Sequence, residues 1–363
     1  MSKILLSGYY GFANAGDEAM LAAIVSALRR EVPDVEITVL SGNPAVTAAK
    51  YQVKSLNRFD ALGFLRVLRH TDLLLSGGGS LLQDVTSSKS LFYYLSVIFA
   101  GKLMGKKVML FAQGIGPIKS SFARILTKWV CNSVDIMTVR DDGSSEELKS
   151  MGVCQNKIIV TADAVFSLPE ADIKQGKSIL KAKGMGVKPL IGIALRHWQG
   201  EARYIKEFAI AAERLSNIYD AQIVFIPLQF PADTQVADMV IGAMKNSENV
   251  FVLEKGFSTE EYLAIVSNLN LLIGMRLHAL VFAALANIPF MAISYDPKID
   301  RFVKGMDGKV TATIDKVTAE DIVTEANALW CQKPKRQIEK INKLREEASL
   351  NIIRAVNLLS KDR

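Results

Sequence analysis

The chain alternates between short, continuous apolar runs and longer stretches in which apolar residues recur at three- and four-residue spacing. A run such as Leu73-Leu74-Leu75 is apolar on both faces and too short for a buried helix, so it reads as a strand covered on both sides. Strand and helix in regular alternation are the signature of parallel βαβ units. The runs predict strands at 3–7, 36–40, 72–76, 107–112, 136–139 and 158–161, and again at 190–195, 222–227, 250–252, 271–274 and 290–294. Between 164 and 190 the pattern breaks into a polar stretch, Ser167-Leu168-Pro169-Glu170-Ala171-Asp172, followed by a lysine-rich helical segment. The expectation is an α/β chain with two doubly wound domains, residues 1–170 and 171–333. The charged tail, 334–363, predicts a C-terminal amphipathic helix with Ile338, Ile341, Leu344, Ala348, Ile352 and Ile353 on its apolar face.

Composition narrows the class. Half of the 363 residues are hydrophobic and 22% are charged, enough apolar material for two cores and too much for a disordered chain. A net charge of +7 and a pI near 9.1 favour acidic partners such as phosphorylated metabolites, nucleic acid or an anionic membrane face. Cys131, Cys154 and Cys331 are widely spaced and form no C-x-x-C pattern, which suggests neither a disulfide framework nor a zinc site. They read as reduced thiols and point to the cytoplasm. Lys3 leads straight into Ile4-Leu5-Leu6 without the apolar stretch of a signal peptide. No run reaches the roughly 18 apolar residues of a spanning helix, so any membrane association is expected to be peripheral. The apolar run 91–100, followed by Lys102, Lys106 and Lys107, reads first as a core helix and alternatively as an interfacial patch.

Candidate chemistry sits where predicted strands end. After the first strand comes Gly8-Tyr9-Tyr10-Gly11-Phe12-Ala13-Asn14-Ala15-Gly16-Asp17-Glu18, whose glycines permit a tight turn and expose N–H groups at a helix start. Its spacing is not that of the dinucleotide fingerprint. Asp17 and Glu18 fit equally as first-turn helix residues favoured by the macrodipole. Ser76-Gly77-Gly78-Gly79-Ser80 ends the third strand and Gln113-Gly114-Ile115-Gly116-Pro117 the fourth, leaving main chain that a ligand can approach closely. Arg140 and Arg196 each follow a strand, where a guanidinium can grip carboxylate or phosphate, or can bridge loops as a salt-bridge partner. Gly274-Met275-Arg276-Leu277-His278 passes from strand to apolar helix, placing a fixed positive charge and a titratable proton at a helix N-terminus. Lys298 follows Asp296-Pro297 after the next strand, within reach of the same strand ends.

Together these segments resemble the polysaccharide pyruvyl transferase family, in particular its branch acting on secondary cell-wall polymers that anchor bacterial surface layers. The resemblance runs from Gly8-Tyr9-Tyr10-Gly11-Phe12 through Ser76-Gly77-Gly78-Gly79 and Gln113-Gly114-Ile115-Gly116-Pro117 to Arg276-Leu277-His278. It implies a GT-B-like fold, two Rossmann-like domains facing across a cleft, with the acceptor on the N-terminal side and phosphoenolpyruvate on the C-terminal side. It also implies transfer of pyruvate from phosphoenolpyruvate onto two hydroxyls of one sugar as a cyclic ketal. In the surface-layer branch that sugar is an N-acetylmannosamine on a lipid diphosphate carrier. The resemblance assigns Arg196, Arg276 and His278 to the site, with Lys298, Asp17 and Arg140 following less directly. Phosphoenolpyruvate is a small trianion that needs several cationic or N–H donors, and ketal formation needs a proton for the enol carbon and a base for the hydroxyl. His278 suits the acid and Asp17 the base. Neither a metal nor nucleic acid is expected to take part. A nucleotide-sugar glycosyltransferase of the same architecture and a non-catalytic binder of anionic sugars are the competing readings.

Overall fold

All strand pairs among the described residues are parallel, as runs apolar on both faces require, and they fall into two sheets. The computed structural model describes residues 1–85, 87–254, 256–331 and 338–360. Its contacts divide the chain into two units, Met1–Leu168 with Asn342–Arg363, and Pro169–Ile341.

Unit 1 runs β1 (Lys3–Tyr10), α1 (Ala15–Glu31), β2 (Glu36–Ser41), α2 (Pro44–Tyr51), β3 (Lys54–Asn57), α3 (Ala61–Arg69), β4 (Leu73–Gly77), α4 (Ser88–Leu103), β5 (Lys107–Gln113), α5 (Ser121–Ser133), β6 (Ile136–Val139), α6 (Asp142–Ser150) and β7 (Ile158–Val160). Its seven strands lie in the order β3-β2-β1-β4-β5-β6-β7. Unit 2 runs α7 (Ile173–Ala182), β8 (Leu190–Ala194), α8 (Glu201–Tyr219), β9 (Gln222–Phe225), α9 (Ala232–Ala243), β10 (Val250–Val252), α10 (Thr259–Val266), β11 (Leu271–Gly274), α11 (Leu277–Leu285), β12 (Phe290–Ser294), α12 (Pro297–Gly305), β13 (Ala312–Thr313) and α13 (Ala319–Cys331). Its six strands lie in the order β10-β9-β8-β11-β12-β13. Each is a Rossmann-like, doubly wound α/β unit, the fold class that the alternating pattern predicts. Central strands such as Leu73-Leu74-Leu75 and Ile191, Ile193 and Leu271 are fully buried in the two cores.

The elements differ from expectation in three instructive places. β1 continues three residues past 7, because after a register shift between Ser7 and Tyr10 the strand pairs again at Tyr10 with Ser41. Tyr10 is held there by its hydroxyl, which donates to the Gly77 carbonyl at 2.6 Å. The edge strands β3 and β13 were not expected. Finally α14 (Ile338–Ser360) is helical as predicted, though residues 334–337 and 361–363 of the expected tail helix lie outside the described residues. Its buried face carries Ile341, Ala348, Ile352, Ala355 and Leu358, whereas Ile338 and Ile353 are exposed. The rotation is set by buried Asn351, which accepts from the Thr161 hydroxyl at 2.9 Å and donates to the Ala162 carbonyl at 3.1 Å. A residue two positions on points to the far side of the helix, which is where Ile353 lies.

Candidate active site

In an open parallel sheet, ligands bind beyond the strands' carboxyl ends at the point where the chain order reverses and the following loops diverge. That point lies between β1 and β4 in unit 1 and between β8 and β11 in unit 2. All the sequence-predicted residues except Arg140 lie at these two places, in loops, in helix starts or, for Gly77, at the last residue of β4, or else after β12, the strand beside β11.

In unit 1, Asn14 caps α1 by accepting from the Gly16 and Asp17 amides, so Asp17 stands in the first helical turn. Its carboxylate lies against the glycine loop after β4: a Cβ on Gly79 would sit 2.9 Å from Asp17 Oδ1. Gly78 and Gly79 adopt φ of +76° and +85°, and a Cβ on Gly78 would also press within 3.0 Å of Met20. Gly77, the last residue of β4, lies against Phe111, and a Cβ there would come within 3.1 Å. Burial first, and then the Asp17 charge, push the Tyr10 phenol well above its ordinary value. The third glycine segment is tied to the second, since the Gln113 side-chain amide and the Gly114 N–H both donate to the Gly79 carbonyl, at 3.0 and 2.9 Å. Arg140 is nearly buried beside them. It donates to Asp163 at 3.2 Å and to the Ser80 hydroxyl at 2.8 Å, with Asp141 at 3.6 Å.

Unit 2 sets two predicted cations on one phenol and brings a third, Arg276, near enough for its charge to be felt there. Arg196, two residues beyond β8, donates to the Tyr295 hydroxyl at 2.8 Å and lies over its ring at 4.5 Å. Lys298, in the first turn of α12, lies 5.4 Å from the centre of the same ring and 3.5 Å from Asp296, the cap of that helix. Burial would push the Tyr295 phenol up, but the charges of Lys298, Arg196 and Arg276 outweigh it and hold the phenol below its ordinary value. Arg276 caps α11 in extended conformation, and His278 follows half-buried in that helix's first turn. The Arg276 guanidinium is aimed by Asp233, a buried residue of α9 whose two oxygens accept from Nε, at 2.9 Å, and from Nη2. Asp233 also accepts from the Leu228 and Gln229 amides at 3.1 and 3.0 Å. Four donors on one carboxylate fix the fork in place.

Three residues here carried no sequence signal. Asp233 is an ordinary first-turn acid of α9, and only the tertiary fold sets it against Arg276. Tyr295 lies inside a predicted segment, yet nothing in the order of residues shows Arg196 and Lys298 meeting on its ring. Arg58 follows edge strand β3 and is enclosed by aromatic rings, with Tyr93 at 4.0 Å, Tyr94 at 5.2 Å, Phe59 at 5.3 Å and Phe12 at 5.4 Å. The rings stand in for a carboxylate counter-ion and tie the Gly11–Phe12 turn to β3.

Among the described residues no cluster of three or more His, Cys, Asp or Glu side chains is arranged to hold a metal ion. What unit 2 offers is a fixed fork, a stacked guanidinium, an ammonium and an imidazole at a helix start, a set suited to a small, multiply charged anion.

The fold and these residues define a two-unit α/β protein with cationic side chains gathered at the switch point of its second sheet. Residues 14–297 match the polysaccharide pyruvyl transferase family, so the chain belongs to that family and is a transferase. It is 20% identical to the amylovoran biosynthesis protein AmsJ of Erwinia amylovora, over 82% of this chain and 84% of that protein. Its fold is similar to that of S. aureus MnaA solved with UDP, with a TM-score of 0.69 at 14% identity over 98% of this chain and 95% of the other. The UDP-GlcNAc 2-epimerase of Neisseria meningitidis bound to UDP-GlcNAc is similar too, with a TM-score of 0.66 at 14% identity over 98% and 99% of the two chains. These likenesses make the fold GT-B-like and go no further than the fold.

Proposed function

We propose that the chain transfers the pyruvyl group of phosphoenolpyruvate to two hydroxyls of one sugar, closing a cyclic ketal and releasing phosphate. The observation that carries this reading is the meeting of Arg196 and Lys298 on Tyr295, with the charge of Arg276 felt there and His278 two residues further along, within one unit and at the carboxyl ends of its central strands. The family supplies phosphoenolpyruvate and a saccharide as the substrates. The cations take the carboxylate and phosphate, with the Arg276 fork suited to a planar pair of oxygens. His278 gives a proton to the enol CH2 as the first sugar hydroxyl adds to C2, and a general base takes that hydroxyl's proton. The tetrahedral adduct then loses phosphate, and the second hydroxyl closes the ring with loss of its own proton. Two protons leave the sugar, one ends on the new methyl group and one on the phosphate, so the reaction balances without a metal or redox partner.

For the acceptor, an N-acetylmannosamine of a lipid diphosphate-linked wall polymer precursor is supported by the motif resemblance, and a cytoplasmic reaction by the donor's chemistry. Phosphate release with phosphoenolpyruvate across a panel of such acceptors tests the whole reading, and should be undiminished after exhaustive chelation. The fold's likeness to UDP-bound proteins favours a second reading, a nucleotide-sugar transferase. At about 100 times Kd a true ligand adds roughly 2.7 kcal/mol, so a thermal shift with phosphoenolpyruvate and none with UDP-sugars decides for pyruvyl transfer, and the reverse result against it.

Arg196→Ala is expected to weaken phosphoenolpyruvate binding by roughly tenfold or more, since a charged hydrogen bond is lost. Arg276→Lys should weaken it as well, a point charge replacing a planar fork. Calorimetric affinities equal to wild type in folded variants would remove the cations from the donor site. A further test uses pH. Ionised Tyr295 would add a negative charge beside the trianion, so phosphoenolpyruvate affinity should fall as pH rises through the Tyr295 ionisation, and bound phosphoenolpyruvate should move that ionisation upward. Phenolate absorbance titrated with and without phosphoenolpyruvate reads this directly, with Tyr295→Phe abolishing the shift.

A further inference from the structure

Helices α4 and α5 of unit 1 leave a continuous apolar face uncovered. Along α4, Leu91, Tyr94, Leu95, Val97 and Ile98 go into the core, as a core helix requires, but Phe92, Phe99 and Leu103 form a second stripe on the outside. On α5 the outward stripe is Phe122, Ile125 and Trp129. The stripes meet, with ring centres 6.1 Å apart for Phe92 and Phe122 and 5.1 Å for Phe99 and Trp129. Phe99 is the most covered of the six at 36% exposed, and Leu103 the least at 75%. Apolar side chains scattered singly over a surface are ordinary, but large rings gathered on one face mark an interaction site.

Charge decides what covers it. Neither α4 nor α5 contains an acidic residue, while Lys89 and Lys128 are exposed on the same stripes, three residues before Phe92 and three after Ile125. Lys119 is exposed just ahead of α5. Nearby carboxylates are already engaged: Asp135 with Lys102, Glu147 with Arg124, and Asp84 with the Lys119 and Ser120 amides. The lysines singled out from the sequence are used inside the unit, Lys102 by Asp135 and Lys106 and Lys107 by the carbonyls of Arg69 and Leu358. Rings on the outside and free lysines at the rim are the chemistry of a surface that sinks partway into the headgroup layer of an anionic bilayer. Among the described residues no helix is long and apolar enough to cross a membrane.

We infer that the α4–α5 face docks unit 1 on an anionic lipid surface, with Phe122, Ile125 and Trp129 entering the interface and Lys89 and Lys128 contacting headgroups. This stands apart from the pyruvyl-transfer reading, and its test involves no substrate. The full chain is mixed with vesicles of phosphatidylcholine alone or with phosphatidylglycerol added. Expected are co-sedimentation with the anionic vesicles only, a blue shift of tryptophan emission, and quenching by brominated acyl chains, both optical signals being lost in Trp129→Phe. Lys89→Glu with Lys128→Glu should lower vesicle partition by roughly tenfold or more, because each lysine near an anionic surface adds about 1 kcal/mol. Phe122→Ser with Ile125→Ser should lower it independently of charge. An unchanged wild-type spectrum with anionic vesicles overturns the proposal, and so does equal binding to neutral ones. A blue shift that grows with protein concentration in the absence of lipid, together with a dimer in sedimentation, assigns the face to a second copy and also overturns it.

Discussion

His278→Ala is expected to lower turnover by roughly two to four powers of ten while leaving phosphoenolpyruvate affinity near that of wild type. The reason lies in where the residue stands. It follows the Arg276 cap by two positions in the first turn of α11, and the groups assigned to hold the pyruvyl donor, Arg196, Arg276 and Lys298, are on other residues. On the proposed reading, removing the imidazole takes away the proton for the enol carbon and little ground-state binding. If the ring only filled space at the start of a buried helix, the same change would lower the melting temperature and leave the folded fraction's turnover intact. Turnover, donor affinity and melting temperature measured on this one variant separate the two, and near-normal turnover would end the assignment of His278 as the acid.

Asp233→Ala should produce the largest loss of stability, about 3–5 kcal/mol in the unfolding of unit 2. Its carboxylate is buried and accepts from the Arg276 fork and from two backbone amides. Truncation leaves a largely buried guanidinium without its counter-ion and two amides without an acceptor, and each deficit is costly in a low-dielectric interior. Asp233→Asn keeps an oxygen for the amides but faces Arg276 with no charge, so it should fall between wild type and alanine. At about 2–4 °C per kcal/mol for a unit of this size, the alanine variant should melt roughly 6–20 °C lower. A melting temperature unchanged within a degree would show that Arg276 does not depend on this carboxylate.

What the sequence disclosed and what it hid divide along physical lines. Strands buried on both faces are continuous apolar runs, so Ile136–Val139, Leu271–Gly274 and Phe290–Ser294 were legible to the residue. Edge strands need only one buried face and little length. Lys54-Ser55-Leu56-Asn57 looks polar and Ala312–Thr313 is two residues long, and neither could be told from a loop. The candidate site followed the same rule. Strand-end glycines and arginines announce themselves, because main chain approached by a ligand and a cation at a helix start are local features. Counter-ions are chosen by tertiary placement: Asp233 is 43 residues from Arg276, and the rings that enclose Arg58 come from Phe12 before it and from Phe59, Tyr93 and Tyr94 after it.

Unit 1 is assembled from two stretches of chain, with all of unit 2 lying between them in sequence. The bonds from Asn351 to Thr161 and Ala162 span 190 and 189 residues. During synthesis the seven strands of unit 1 leave the ribosome first, and α14, which bonds to Thr161 and Ala162 just after β7, leaves only once an entire second unit has been made. At about 5–20 residues per second the apolar surface awaiting Ala348, Ile352, Ala355 and Leu358 stays open for roughly ten seconds or more. Nascent chains arrested before Ile338 should accordingly hold a folded unit 2 beside a unit 1 that binds chaperones and is cut readily by protease, and release of the full chain should protect both together.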